Sequence, residues 1–152
     1  APADADVAAR TEPEMPVEEG EFSHEGQLGF VVRGETDVKD PSLGPTVGLS
    51  FGALSWLELS GLALIQRSTG ARIAATVLVL PRSAMKPFVR LGVPMFFEGG
   101  THAGIHGGAG LQWDMSRNLG LGVDLSVEHF SDLGLGSYTA AVVGFGAQAR
   151  AF

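Results

Sequence analysis

The chain has 152 residues, room for one domain, with 22 glycines, 10 Lys and Arg against 17 Asp and Glu, and no cysteine. A net charge of −7 excludes a nucleic-acid partner, which needs a basic surface, and the missing cysteine excludes disulfides, thiolate chemistry and Cys-based zinc sites. No apolar run approaches the ~20 residues of a transmembrane helix. The start, APADADVAAR, has neither a Met nor an apolar stretch, as expected of an exported chain whose signal peptide has been removed.

Residues 1–25 differ from the rest. They carry Asp4, Asp6, Glu12, Glu14, Glu18, Glu19, Glu21 and Glu25 against Arg10 alone, with prolines at 2, 13 and 16 and few large apolar side chains. Such a segment buries too little surface to offset its ordering entropy. It reads as a disordered acidic tail or linker, either a solvated spacer or a docking segment for an envelope partner. His24 falls inside it.

From residue 26 onward the chain alternates apolar and polar residues between turn signals, with no 3.6-residue period. Eight strands are predicted, at 26–35, 45–53, 57–66, 71–80, 87–96, 104–113, 118–128 and 137–151. The joints hold Gly, Pro, Ser, Asn and Asp, the residues of turns. The first, third, fifth and seventh tend to be longer and more polar than the second, fourth and sixth. Antiparallel strands with long loops at one end and tight turns at the other make an up-and-down barrel. Strands of about ten residues exceed the usual five or six and match a tilted bilayer span.

The charges decide which face looks inward. One face of the strands is an uncharged apolar stripe, including Leu28, Phe30, Val32, Ile73, Val77, Val89, Leu91, Val93, Leu121, Val123 and Leu125. The other face carries Arg33, Glu35, Glu58, Arg72, Arg90, Asp114, Asp124, Glu128 and Arg150, with most of the strand glycines. An eight-stranded lumen is narrow and suits glycine, whereas the bulky stripe would overfill it. Four arginines beside five carboxylates can pair inside a closed lumen, where a lone charge costs several kcal/mol. The apolar stripe is therefore expected to face lipid, with a structural Arg/carboxylate network plugging the interior. Trp56, Trp113, Tyr138, Phe96 and Phe97, near strand ends, are expected to form the interfacial girdles.

These features resemble the small eight-stranded outer-membrane barrels of Gram-negative bacteria, the outer membrane protein A and X class, over residues 26–152. The final Phe152 is similar to the C-terminal aromatic of that class. Arg150, Gln148 and Gly146 precede it at alternate positions where the class keeps apolar residues, so a bulge near 147–150 is expected to restore the phase. The resemblance implies a bacterial outer-membrane location with both chain ends periplasmic. The loops around 36–44, 67–70, 97–103 and 129–136 would then be extracellular. The partners it implies are the bilayer and lipopolysaccharide, with envelope proteins meeting the tail or the loops.

His129-Phe130-Ser131-Asp132-Leu133-Gly134 is the sharpest local motif. His129 and Ser131 share the lipid-facing parity at the extracellular end of the seventh strand, where His could serve as base for Ser. The stretch is similar to the His-x-Ser-Asn-x-Gly motif of the outer-membrane lipid A deacylase family. That resemblance implies His129 as base and Ser131 as nucleophile. Asp132 stands where that family has an oxyanion-binding Asn, and the last strand opens Gly136-Ser137-Tyr138-Thr139 without the family's Glu. His106 is expected in the lumen and His102 in a loop, so the two do not share a face and no metal site is expected. The Gly-rich 104–110 stretch lacks the following helix and Lys-Ser/Thr of a phosphate loop. No cofactor is expected. The sequence thus points to a non-catalytic structural or scaffold barrel, with a lipid A acyl-ester hydrolase as first alternative. A soluble calycin-like carrier of an apolar ligand is the second.

Overall fold

The computed structural model describes residues 22–39, 41–65, 69–131 and 136–151. Eight strands follow in chain order: β1 Leu28–Asp37, β2 Leu43–Leu54, β3 Leu57–Ile65, β4 Thr69–Leu78, β5 Met85–Phe96, β6 His102–Ser116, β7 Leu119–Phe130 and β8 Tyr138–Ala151. Each pairs antiparallel with its neighbours, and β1 pairs with β8, so the sheet closes without an edge.

Alternation within each strand drives this closure, because side chains point to opposite faces with period two. In β7, Leu119, Leu121, Val123, Leu125 and Val127 face out, while Asp124, Ser126 and Glu128 are buried inside. Leu125 is 61% exposed and Ile105 67%. A belt of exposed Leu, Val, Ile and Phe surrounds the whole barrel, far beyond the few hundred Å² that a water-soluble monomer shows. This is an up-and-down transmembrane β-barrel whose outer face is solvated by lipid. A carrier of an apolar ligand would need the reverse arrangement.

The ends of β2, β4 and β6 and the starts of β3, β5 and β7 lie at the end where β1 begins and β8 finishes, and the other strand ends lie opposite. We call these the terminal and the loop end. The length asymmetry is weaker than the sequence suggests, since 79–84 is longer than 66–68.

Four expectations need correction. First, β5 begins at Met85, two residues early, and draws Lys86 out of the presumed turn into the wall, facing inward. Second, no bulge interrupts 147–150: β8 pairs continuously with β1 through Ala151. Phe152 lies outside the described residues. The register shifts that do occur are in β2 at Gly52/Leu54 and in β6 at Asp114/Ser116. Third, Phe96 turns from the girdle toward Phe130, ring centroids 5.4 Å apart, near the loop end of the lumen. Trp56, Trp113, Tyr138 and Phe97 remain exposed. Fourth, His24 is not in a solvated tail. It is 1% exposed, inside the terminal end of the barrel.

The interior is also less uniformly polar than expected. Leu62, Leu64, Leu78, Phe88 and Phe130 are buried there beside the charges. Glycines make the room. A Cβ on Gly110 would lie 2.6 Å from Phe88 Cζ, so the large ring requires the small neighbour.

Candidate functional site

All nine charges assigned to the lumen from sequence are buried there. With Lys86 added, five cations (Arg33, Arg72, Lys86, Arg90, Arg150) face five carboxylates (Glu35, Glu58, Asp114, Asp124, Glu128) among the described residues. They form three stacked groups, because each strand delivers an inward residue at every second position.

At the loop end, Arg72 of β4 bridges Glu35 of β1 and Glu128 of β7, the latter at 2.8 Å. His106 of β6 lies 3.1 Å from the same Glu128 oxygen. In the middle, Arg33 pairs with Asp124 and also sits 3.4 Å from Glu35, which links this group to the one above. Arg90 Nε donates to Thr76 Oγ1 at 3.0 Å, its guanidinium stacks 4.9 Å from the Phe88 ring, and its Nη1 is 3.8 Å from Asp124.

At the terminal end, Asp114 of β6 collects four donors. Arg150 at 2.9 Å and Gln112 at 3.0 Å reach one oxygen, and His24 at 2.7 Å and Lys86 reach the other. Lys86 also donates to the Ser83 carbonyl at 2.6 Å. Glu58 accepts from Gln148 at 3.1 Å and lies 3.3 Å from His24 Nδ1. His24 Nε2 is thus hydrogen-bonded to Asp114, while Nδ1 faces Glu58 without a hydrogen bond of its own. A Cβ on Gly120 would come within 2.6 Å of Asp114 Oδ1, so glycine there leaves space for the cluster.

This network fills the lumen. Between the middle and terminal groups remains a cavity of about 30 Å³, lined by Arg33, Glu58, Ser60, Arg90, Gln112 and Gln148 among others. That is space for one or two waters. Sequence reading missed Lys86, His24 and the amides Gln112 and Gln148. Parity alone could have found Lys86, because it continues the inward series of Phe88 and Arg90.

His129 and Ser131 are both exposed at the loop end of β7. The His129 ring, however, is engaged across the strand pair: Nδ1 lies 2.8 Å from Thr139 Oγ1 of β8. No hydrogen bond joins His129 to Ser131 among the described residues, and Asp132 lies outside them. Glu128, the adjacent carboxylate, points into the lumen and is held by Arg72 and His106. The pair therefore has a hydroxyl, not a carboxylate, behind its histidine. His102 belongs to β6, not to a loop, and shares parity with His106. Four strand residues still separate the two by roughly 13 Å, too far to share a metal.

The closed ring, the lipid-facing exterior and the paired interior define a small transmembrane β-barrel. Solved structures agree at the level of fold. A barrel from the de novo design of transmembrane β-barrels superposes with a TM-score of 0.67 at 16% identity, covering 84% of this chain and 97% of that one. The N-terminal β-barrel domain of Pseudomonas aeruginosa OprF gives 0.57 at 16% identity, covering 84% and 98%. No family model and no curated protein matches the chain.

Proposed function

We propose that this protein is a non-catalytic structural barrel of a bacterial outer membrane. In this reading its chain ends are periplasmic and its loops extracellular. Lipid and lipopolysaccharide surround the belt, and envelope proteins meet the acidic N-terminal residues or the loops. The observation that carries the reading is the division of the strands into an uncharged outer face and a self-neutralised, filled interior. Such an interior leaves little free space beside its own side chains. The hydrolase alternative finds a hydroxyl, Thr139, behind His129 Nδ1 where a carboxylate would orient the ring.

Fractionation of the producing bacterium tests the proposal. The protein should follow the outer membrane, leave it only in detergent, and migrate faster on gels before boiling than after. A tag at residue 1 should resist protease in intact cells and be cut once the outer membrane is breached. A partner captured stoichiometrically in mild detergent would support the scaffold role. A monomer soluble in plain buffer would defeat the whole reading.

A further inference from the structure

We propose that residues 22–27 form a plug that can leave the terminal mouth of the lumen without dismantling the barrel. The segment is built to turn inward. Gly26 has a φ of +75°, open to glycine without strain, and the Gln27 N–H donates to the His24 carbonyl at 3.0 Å, closing a tight turn. This turn reverses the chain from the β1 wall into the lumen. Two backbone hydrogen bonds pin it to β2: Gly26 N–H to Gly52 O at 2.8 Å and Gly52 N–H to Gln27 O at 3.0 Å. Position 52 must be glycine for this seating, since a Cβ there would collide with the His24 carbonyl.

Beyond the turn, His24 inserts between Glu58 and Asp114, and the Phe22 ring lies 5.5 Å from Lys86 Nζ. Every other member of this group keeps a partner when His24 withdraws. Asp114 retains Lys86, Arg150 and Gln112, and Glu58 retains Gln148. The eight-stranded ring closes through β1–β8 pairing and does not use residues 22–26. Withdrawal costs the His24 contacts to Glu58 and Asp114 and the two bonds to Gly52, leaves the wall intact, and uncovers the cavity that Glu58 lines to water and small solutes. This plug adds a movable part to the barrel and does not depend on which membrane holds it.

The chain has no cysteine, so a single reporter can be placed cleanly. Ser60 lines the cavity, and Ser60→Cys, made in the full chain, reports whether the lumen is open. A small cationic methanethiosulfonate is added to the folded barrel in detergent, and labelling is read only on the fast-migrating, unboiled species. With the native plug, labelling should be slow. Adding His24→Ala, which removes the latch, or Gly52→Val, which ejects the turn without touching a charge, should speed it at least tenfold. Acceleration in either variant supports the plug. Labelling already fast with the native plug, or less than tenfold acceleration in both variants, overturns it.

Discussion

Replacing Arg72 by methionine removes the cation that joins three strands while nearly keeping its volume. Arg72 is 0% exposed and touches Glu35 and Glu128, with His106 3.3 Å away. Truncating one partner of a buried ion pair typically costs about 3–5 kcal/mol, because the remaining charge stays buried. Neither carboxylate is wholly abandoned here: Glu35 keeps Arg33 at 3.4 Å and Glu128 keeps His106 at 3.1 Å. The loss should therefore fall near the lower bound, about 3 kcal/mol, or roughly two decades in the folding equilibrium. Adding Glu128→Gln removes one of the two carboxylates that lost Arg72 and should return a measurable part, about 1 kcal/mol or more. The assay is reversible denaturant unfolding in lipid vesicles, followed by the fluorescence of Trp56 and Trp113. A loss below about 1 kcal/mol for R72M, or no recovery in the double variant, would refute the view that these ion pairs are buried.

Three further expectations use the same geometry. Leu125→Arg, at the middle of the outer face of β7, should cost about 2–4 kcal/mol in vesicles and lower the folded yield; a neutral effect would mean that this face meets water. Gly110→Val pushes into Phe88 Cζ at 2.6 Å and Asp124 Cβ at 2.7 Å and should cost about 1–3 kcal/mol in the same unfolding assay, whereas a stable variant would indicate a looser lumen. His129→Ala and Ser131→Ala should each leave the acyl pattern of lipid A, read by mass spectrometry in a bacterial host, the same as with the native chain. A change seen with native protein and lost in both variants would restore the hydrolase.

The ring and its orientation were legible in the sequence because they rest on local period-two signals repeated eight times. Once the outer stripe proved free of charge, Arg33, Glu35, Arg72, Asp124 and Glu128 had to point inward together. The apolar lumen residues were not legible from parity. Leu62, Leu64 and Phe88 share the inward parity of the charges, and only the glycines opposite them, on other strands, show that they fit. The His129 environment was equally hidden, since its bond to Thr139 depends on the register between β7 and β8. Local pattern specifies which face a residue occupies, while register specifies what it meets.

Charge balance could have reached further than periodicity. A closed lumen strongly disfavours an unpaired carboxylate, so four arginines against five acids left one cation to be found. Lys86 was the nearest candidate, one residue before the predicted start of its strand and in phase with Phe88 and Arg90. Extending β5 by two residues supplies it and lengthens the wall at the terminal end. Asp114 then holds two cations, while Glu58 faces His24 and accepts from the neutral amide of Gln148. The N-terminal segment therefore lies outside the five-against-five count of the wall, and the paired His24 and Gly52 variants measure whether it closes the mouth.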